Sequence, residues 1–368
     1  MNIDRVILHV IKMNLKKPFS THLGTVQERE GIIVEVIDEN GLRGFGEGVA
    51  FSTPWYTEET VGTSLHILKE VLIPLLHRTS ISHPKEVFPM FSLVRRNNMA
   101  KAALECALWD LYAKQIDQPL WKVIGGKRET IAAGAVAGAP SVLETIKQVH
   151  GFVKEGYERI KVKISPEMDY ELIKGIRKEF PQLRLMADAN SAYTLNDIEQ
   201  LKKLDEFALE MIEQPLGIDD IYEHSLIQKE MKTDICLDES ITSLHDAKSA
   251  IALGSCRFIN IKLGRVGGYV PAVSIHDLSE REGVQVWCGG MIEFGVSRAH
   301  NIALSTLDGF DFPGDISASS RYWEEDIIEP AISVVNGRIS VPQGPGIGVE
   351  LNRRRLQQVS LFTEEHSK

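Results

Sequence analysis

Five charged residues recur along the chain at nearly equal intervals. Each lies at or near the end of a short apolar run, and the intervals are 25, 25, 25 and 24 residues: Lys163, Asp188, Glu213, Asp238 and Lys262. About 25 residues is the length of one strand, one helix and two short loops. Because the same end of five successive strands carries a charge, the spacing predicts a (β/α) barrel with a site at one rim.

Strand and helix patterns alternate regularly from about residue 130 onward. The predicted strands are the apolar runs 157–164, 183–190, 209–215, 234–240, 257–263, 284–290 and, more weakly, 309–315. The predicted helices are 167–180, 194–206, 219–231, 243–253 and 270–282. This alternation favours a parallel sheet with right-handed crossovers.

The first part of the chain has a different pattern, with antiparallel strands followed by helices. Residues 2–15 alternate between apolar and polar side chains, which is typical of a strand. The segments 31–37 and 42–50 flank an Asn-Gly turn signal and predict a hairpin. Helices are predicted to begin at Thr57 and to cover 98–116.

The composition is that of an ordinary globular protein, with 43% hydrophobic and 25% charged residues. A formal net charge of −10 argues against a nucleic-acid or anionic-membrane partner. The four cysteines have no CxxC spacing and lie in apolar runs, which predicts reduced core thiols. The N-terminus lacks the apolar segment of a signal peptide, and no apolar run reaches the length of a membrane span. We therefore expect a cytoplasmic protein.

Three of the periodic residues are carboxylates, which repel one another unless a cation lies among them. Mg²⁺ prefers oxygen ligands and Mn²⁺ can replace it, so Asp188, Glu213 and Asp238 are predicted to bind Mg²⁺. No HxH, HExxH or cysteine cluster indicates zinc. Asn190 and Glu239 are candidate polar neighbours that orient these groups, although local capping and turn hydrogen bonds explain them equally well.

The lysines are predicted to flank a substrate. Lys161 and Lys163 are two residues apart on one predicted strand, so their side chains would share a face. Both would then point into the barrel mouth. The alternative is an edge strand with solvated lysines. Strands four apart face each other across a barrel, which places Lys262 opposite Lys163, whereas a structural salt bridge is the alternative for Lys262. Arg265 either favours the neutral form of Lys262 or is a solvated loop residue or a carboxylate partner.

Aromatic side chains cluster in predicted loops of the first part of the chain: Phe19, Phe51, Trp55 and Tyr56. Exposed aromatic residues there would form a lid over the site. Packing against the barrel is an equally good interpretation. Phe19, Phe51 and Tyr56 are candidate substrate contacts in both cases.

These residues resemble the enolase superfamily and, within it, the muconate-lactonizing-enzyme subgroup. The KxK of Lys161 and Lys163, the acids within ADAN, IEQP and LDES, and Lys262 match that pattern along the barrel. The likeness to o-succinylbenzoate synthases and N-succinylamino acid (N-acylamino acid) racemases runs from end to end, through LKKPFST, FSTPWYTEET, NNMAKAALE, NIKLGRVGG, VWCGGMIE and FPGDISASSRYW. Asp311 and Asp315 are four apart, which does not match the DxD motif of dipeptide epimerases.

The resemblance implies a modified (β/α) TIM-type barrel with an α+β capping domain formed by the N-terminal part and the C-terminal tail. Gly125-Gly126-Lys127 indicates a boundary. The expected regions are therefore a capping domain at 1–125, a barrel at 126–320 and a returning tail at 321–368. The resemblance makes the three acids metal ligands and Lys163 and Lys262 the acid/base pair. It places Gly289, Gly290 and Met291 at the edge of the substrate.

The activity implied by the resemblance is a Mg²⁺-dependent carbon–oxygen lyase reaction. It dehydrates 2-succinyl-6-hydroxy-2,4-cyclohexadiene-1-carboxylate to 2-succinylbenzoate through an enediolate, a step toward menaquinone. Racemisation of N-succinylamino acids by Lys163 and Lys262 accompanies this reaction or, in a second hypothesis, replaces it. A third hypothesis is a non-catalytic binding barrel. We expect a small carboxylate substrate with a succinyl group and a homo-oligomer, but no nucleic-acid or membrane partner.

Overall fold

A computed structural model describes residues 1–21, 24–139 and 141–368. None of the helices in these ranges combines the length and apolar character needed to cross a lipid bilayer. The four cysteines are free thiols and buried, as predicted from their apolar surroundings: Cys106, Cys236, Cys256 and Cys288.

A four-stranded antiparallel sheet contains both ends of the chain. Its strands, in spatial order, are Ser360–Ser367, Ile3–Thr21, Gly24–Asp38 and Arg43–Gly48. The last strand of the chain therefore pairs with the first, which joins the C-terminal tail to the N-terminal part. This sheet and the helices from Val61–Ile67 to Leu120–Val123 form the α+β capping domain.

The hairpin predicted from the Asn-Gly signal is confirmed. Gly24–Asp38 and Arg43–Gly48 pair antiparallel. Gly41 has a φ of 82°, a conformation that glycine adopts without a steric penalty. Asp38 completes the turn, since its carboxylate accepts the N–H groups of residues 40 and 42 at 2.9 Å.

The first helix begins three residues later than predicted. Its N-cap is Thr60, not Thr57, and the helix covers Val61–Ile67. The neighbouring Glu59 carboxylate instead accepts N–H groups from the first turn of the long helix Asn98–Gln115, at 2.9 to 3.2 Å. This carboxylate thus caps a helix that is distant in the sequence, which the local pattern around Thr57 does not indicate. The other helical segments here are Leu68–Leu72, Ile73–His77, Pro84–Glu86, Val87–Met90, Phe91–Leu93 and Leu120–Val123.

Seven parallel strands form the barrel sheet, and their spatial order follows the chain. From the first to the seventh barrel strand they are Ala135–Ala137, Arg159–Lys163, Arg184–Asp188, Ile212–Glu213, Ile235–Leu237, Phe258–Ile261 and Gln285–Cys288. Six of them lie within the predicted apolar runs, so the parallel sheet predicted from the sequence is confirmed.

Helices connect these strands as the alternation predicts. Beyond the seventh strand lie the helices Gly295–Leu304, Ser319–Tyr322 and Arg353–Val359. The helices between the strands are Val142–Lys154, Asp169–Glu179, Ile198–Lys203, Tyr222–Glu230, Leu244–Leu253, Leu263–Val266 and Tyr269–Glu282, with 3₁₀ turns at Leu195–Asp197 and Leu204–Phe207. The pattern at 194–206 is therefore divided between one short α-helix and two 3₁₀ turns.

The strand predicted weakly at 309–315 is wrong, because this segment does not form a regular strand. A proline within the run removes a backbone donor, which disfavours a central strand. The segment nevertheless links the two edges of the sheet. Gly134 N donates to Gly314 O at 2.7 Å, beside the first barrel strand, and Asp315 N donates to Cys288 O in the seventh at 2.9 Å.

The tail segment 336–351 contains the two short strands Arg338–Ser340 and Glu350–Leu351. They pair with Thr130–Ala132 and Ile328–Glu329, respectively. The return to the antiparallel sheet is made further along the chain by Ser360–Ser367.

Position along one face of the barrel strands separates the core from the rim. Met186, Met211 and Cys236 belong to one buried apolar cluster that also contains Phe258, Trp287 and Phe312. Each of the first three lies two residues before a predicted acid, so core and acid side chains lie on the same face of each strand, one step apart. The acids are Asp188, Glu213 and Asp238.

Candidate active site

One cleft of about 670 Å³ is lined by residues of the barrel rim and of the capping domain. Ten of the predicted site residues line it: Phe19, Phe51, Tyr56, Lys161, Lys163, Asp188, Asn190, Lys262, Gly290 and Met291. Other predicted residues are buried behind this lining and are at most 6% exposed: Glu213, Asp238, Glu239 and Arg265. Residues distant in the sequence therefore meet at a single place.

Lys163 is the last residue of the second barrel strand and pairs in register with Asp188. Its Nζ donates to Asp188 Oδ2 at 2.7 Å and to Asn190 Oδ1 at 2.6 Å. The side chain is 15% exposed and lines the cleft. Two neighbouring groups thus hold this amine at the cleft wall.

Lys161 lies deeper than Lys163 on the same face of the strand. Its Nζ is 3.0 Å from Asp188 Oδ2, 2.8 Å from Glu213 Oε2 and 2.5 Å from Asp315 Oδ2. The side chain is 4% exposed, so the alternative of a solvated edge-strand lysine is wrong. The ammonium group bridges carboxylates from three different segments.

The acids respond differently to this surrounding charge. Burial would raise the pKa of Asp188, but the Lys161 and Lys163 ammonium groups together hold it well below its usual range. Burial, with Asp188 next in importance, raises the pKa of Glu213 to about 8 despite Lys161. The opposite shifts show that the lysine charges prevail over burial at Asp188, whereas burial prevails at Glu213.

Lys262 follows the sixth barrel strand and is the more buried of the predicted acid/base pair, at 6% side-chain exposure. Its Nζ donates to Asp238 Oδ2 at 2.8 Å and to the Tyr56 hydroxyl at 2.7 Å. Burial lowers the pKa of Lys262, but Asp238 and other neighbours outweigh burial and raise it above its usual range. The ammonium form is therefore favoured.

Arg265 is buried and does not lie in a solvated loop. It forms an ion pair with Asp238 Oδ1, and it donates to Ile241 O at 3.0 Å and to Asn260 O at 2.7 Å. These contacts agree with the carboxylate-partner interpretation. The charge of Arg265 also opposes the upward shift of the Lys262 pKa. That Arg265 favours the neutral form of Lys262 enough to assist racemisation stays a prediction.

Asn190 links Lys163 to Glu239. Its Nδ2 donates to Glu239 Oε1 at 3.0 Å, and its backbone N donates to Asp188 Oδ1 at 3.1 Å. Glu239 Oε2 is buried and has no hydrogen-bond partner among the described residues. Burial, followed by Asp238, raises the pKa of Glu239 to about 7. Asn190 therefore contacts one predicted ligand and the predicted base directly, and Glu239 is linked to both through Asn190.

Gly289 and Gly290 follow the seventh barrel strand, and the absence of a Cβ at each lets neighbouring residues pack directly against the backbone. A Cβ on Gly289 would lie 2.6 Å from Lys262 Cε and 2.3 Å from Asn260 Oδ1. A Cβ on Gly290 would lie 2.5 Å from Asp315 O. Glycine is thus required at 289 for Lys262 to hold its observed position.

The capping domain contributes an aromatic wall. The Phe51 ring centroid is 4.6 Å from that of Trp55 and 6.0 Å from that of Tyr56. Phe19 lies near the other predicted acid/base residue, with its ring centroid 5.9 Å from Lys163 Nζ. Phe51 and Tyr56 are buried, so these rings pack on the barrel while they line the cleft.

Arg159, buried behind the cleft, and Asp315, which lines it, were not predicted as site residues from the sequence. Arg159 Nη1 is 2.7 Å from Asp315 Oδ1, and its Cζ is 5.5 Å from the ring centroids of Trp287 and Phe312. Arg159 precedes Lys161 by two residues, and this spacing was the signal that could have identified it. Asp315 has no such local signal. Tyr322 is another lining residue that was not predicted.

The donor set fits a divalent cation. In the described ranges, no three acid, imidazole or thiol side chains surround one point closely enough to bind a metal as they stand. However, Asp188 and Glu213 already contact one cationic group from two strands, the Lys161 ammonium. Glu239 Oε2, which lacks a partner within the described part of the chain, adds a further buried oxygen nearby. Hard oxygen donors of this kind suit Mg²⁺ or Mn²⁺ better than zinc.

Two family models match the chain over most of its length. The model described as mandelate racemase / muconate lactonizing enzyme, N-terminal domain, matches residues 3–125. The model described as enolase C-terminal domain-like matches residues 144–355.

Individual proteins are similar over their whole length. An o-succinylbenzoate synthase of Geobacillus kaustophilus is 53% identical over 365 residues, which covers 99% of this chain and 97% of that protein. An N-succinylamino acid racemase of Thermus thermophilus is 44% identical over 363 residues, covering 98% of each. A crystal structure of an enolase-superfamily member from Listeria innocua has a TM-score of 0.97 at 45% identity, covering 100% of this chain and 99% of the other.

Proposed function

Because this chain belongs to the enolase superfamily, with both the N-terminal and C-terminal domains of the mandelate racemase / muconate lactonizing group, we propose that it is an o-succinylbenzoate synthase. The reaction dehydrates 2-succinyl-6-hydroxy-2,4-cyclohexadiene-1-carboxylate to 2-succinylbenzoate in menaquinone biosynthesis. The observation that carries the proposal is that Lys163 and Lys262 line one cleft, each bound to a different buried carboxylate.

Asp188, Glu213 and Asp238 would hold a divalent cation, with Mg²⁺ as the proposed ion. When bound, such a cation stabilises the negative charge that develops on the substrate carboxylate. The α-hydrogen of the substrate is only weakly acidic, so the chain must also place a base beside it.

Lys163 is the proposed base. Its exposed fraction of 15% allows contact with a ligand in the cleft. Its neutral Nζ accepts the α-proton of the substrate, and the resulting ammonium group can return that proton to the departing ring hydroxyl. Water then leaves, the ring becomes aromatic, and Lys163 regains its starting protonation state.

Lys262 is proposed to stay protonated during dehydration. Its hydrogen bond to Asp238 holds the ammonium form against the cost of burial. The positive charge lies next to the enediolate and favours its formation electrostatically. Racemisation uses the same two residues differently, since one lysine removes the α-proton and the other delivers a proton to the opposite face.

The assay of both reactions on one preparation tests this proposal. We expect the purified protein with Mg²⁺ to form 2-succinylbenzoate, Lys163→Ala to abolish dehydration and racemisation, and Lys262→Ala to abolish racemisation. Lys174→Ala is a matched control, because that lysine is 57% exposed and pairs with Glu171 on a helix surface. Substantial turnover by Lys163→Ala would falsify the assignment of the base.

A dedicated N-succinylamino acid racemase is the second candidate. It is favoured by the 44% identity to the Thermus thermophilus racemase and by the two amines that line the cleft. A gene deletion separates the candidates, since loss of the synthase would make growth depend on added menaquinone. Membership of an enzyme superfamily and the intact lysine and acid set argue against a non-catalytic barrel.

Three further properties are proposed. The regions 1–125, 126–320 and 321–368 are the proposed domain limits, which limited proteolysis would test. A homo-oligomer is proposed, and light scattering after gel filtration would measure its mass. The succinyl group is the proposed recognition element of the substrate, so competition by acetyl and succinyl analogues would compare the two.

A further inference from the structure

Tyr56 connects the capping domain to Lys262 through a single oxygen atom. It lies between the strand Arg43–Gly48 and the helix Val61–Ile67, outside the barrel. Its hydroxyl accepts hydrogen bonds from Lys262 Nζ at 2.7 Å and from Arg265 Nη1 at 3.3 Å, and donates one to Asp238 Oδ2 at 3.3 Å. The residue is 9% exposed, so this oxygen is integrated into a buried polar network.

The two lysines differ in the origin of their partners. Lys163 donates to Asp188 and Asn190, both from the third barrel strand and its loop. Lys262 donates to Asp238 of the barrel and to Tyr56 of the capping domain, which are 24 and 206 residues away in the chain. The immediate surroundings of Lys262 therefore depend on how the capping domain is placed, whereas these two bonds of Lys163 do not.

We propose that Tyr56 is a positioning residue that fixes the orientation of Lys262, so that the capping domain controls proton transfer on one face of the substrate. The proposal rests on the proposed function in one respect, namely that the two lysines serve opposite faces. It assigns Tyr56 a role through another residue, in addition to its place in the cleft wall.

Hydrogen-bond geometry explains why one phenol can have this effect. A lysine ammonium group has three N–H donors. Asp238 and Tyr56 accept two of them, which leaves one direction for a ligand. Without the Tyr56 oxygen, rotation about the last side-chain bonds of Lys262 is less restricted, and the productive orientation becomes one of several. The aromatic ring, 5.1 Å from Lys262 Nζ, is retained in Tyr56→Phe, so that variant removes the oxygen alone.

The first test measures exchange of the α-hydrogen in D₂O from each enantiomer of N-succinylphenylalanine, with Mg²⁺ present. The enantiomer that loses exchange in Lys262→Ala identifies the face served by Lys262. We expect Tyr56→Phe to slow exchange of that enantiomer about tenfold, the effect of one lost positioning hydrogen bond to a charged group, and to change the other less than about twofold. Equal slowing of both enantiomers, or of neither, would overturn the proposal.

Tyr322→Phe is the matched control, because Tyr322 lines the same cleft and loses the same atom. The ring of Tyr322 lies near Arg298 and Arg321, and none of the described contacts joins it to Lys262. We expect this variant to alter exchange of the two enantiomers to the same extent. Selective slowing of the Lys262 face by Tyr322→Phe would count against a specific role of Tyr56.

The second test does not depend on turnover. Amine acylation followed by peptide mass spectrometry measures the reactivity of each lysine in the folded protein. We expect Tyr56→Phe to increase labelling of Lys262 several-fold relative to Lys163, since a hydrogen-bond acceptor is removed from the former only. Unchanged relative labelling would overturn the proposal. If the unmodified protein exchanges neither enantiomer, the racemase part of the proposed function fails, and this labelling still decides the role of Tyr56.

Discussion

Arg159 and Asp315, which lines the cleft, form an ion pair of 2.7 Å at the cleft wall. The side chains are 0% and 8% exposed, respectively. The other carboxylate oxygen of Asp315 contacts Lys161 at 2.5 Å, so one acid holds two cations of the second barrel strand. Since the backbone N of Asp315 also donates to Cys288 O, the pair links the second barrel strand to the seventh.

Replacement of Asp315 by Asn is expected to destabilise the protein strongly. Loss of one member of a buried ion pair leaves the remaining charge uncompensated, at a cost of about 3–5 kcal/mol in the free energy of unfolding. Urea denaturation measures this quantity. Asp311→Asn is the matched control: Asp311 also pairs with an arginine, but it is 81% exposed and should change stability by less than about 1 kcal/mol. Similar losses in the two variants would contradict the prediction.

Glu35 is expected to make stability depend on acid pH. Burial would raise the pKa of Glu35, but hydrogen bonds from His9, Arg353 and Arg43 lower it to about 2. Since the folded-state pKa lies below the unfolded value of about 4.5, the stabilisation is complete above that value and is lost as the pH falls toward 2.

Comparison of Glu35→Gln with the unmodified protein tests this pH dependence. The difference in unfolding free energy should be about 3 kcal/mol at pH 7 and should shrink as the pH falls below 4. Glu39→Gln is the control from the same hairpin, where the side chain is exposed and its effect should stay within about 0.5 kcal/mol. A difference for Glu35→Gln that remains constant between pH 7 and pH 3 would contradict the assignment.

The periodic part of the site could be predicted from the sequence because its signal is local. Lys163 and Asp188 each end one strand of a repeating unit, and adjacent parallel strands place their ends side by side. Charged residues at one end of successive strands therefore converge whatever the details of packing. The same argument explains why the parallel sheet was predicted more accurately than the capping domain.

The remaining contacts could not be predicted because they join distant segments without a repeating pattern. Asp315 contacts Arg159 across 156 residues, and Tyr56 contacts Lys262 across 206. Glu59 directly precedes the N-cap of the first helix in the sequence, yet its carboxylate caps a helix that begins 39 residues later. Tertiary packing determines which of these distant residues come into contact, and local sequence propensities do not describe it.

Gly289→Ala is expected to impair catalysis by displacing Lys262. The added Cβ would lie 2.6 Å from Lys262 Cε and 2.3 Å from Asn260 Oδ1, and both side chains are buried. Relief of such overlap typically costs about 1–3 kcal/mol. Both kcat and the unfolding midpoint should therefore fall. Gly151→Ala is the control, because it lies in the helix Val142–Lys154, where its Cβ position has open space among the described residues, and should be neutral or slightly stabilising.

Arg265→Gln is expected to slow racemisation more than dehydration. Arg265 lowers the pKa of Lys262, and racemisation requires Lys262 to act as a neutral base in one direction, whereas dehydration does not. Measurement of kcat/KM for both reactions on the same preparation checks this. Arg265→Lys keeps a positive charge beside Asp238 and should recover part of the racemase activity. Equal losses in both reactions would indicate a purely structural role.

Addition of Mg²⁺ is expected to raise the unfolding temperature as well as to support activity. A ligand that binds the folded state alone stabilises it by RT ln(1 + [L]/Kd), which is about 2.7 kcal/mol at a hundredfold excess over Kd. Calorimetry with increasing Mg²⁺ and after treatment with a chelator measures this shift without an enzymatic assay.

Glu213→Gln should abolish the shift, because it removes one of the three carboxylates that would hold the cation. Glu210→Gln, a partly exposed acid before the same strand that pairs with Arg184, should retain it. A Mg²⁺-induced shift of equal size in both variants would show that the ion binds elsewhere.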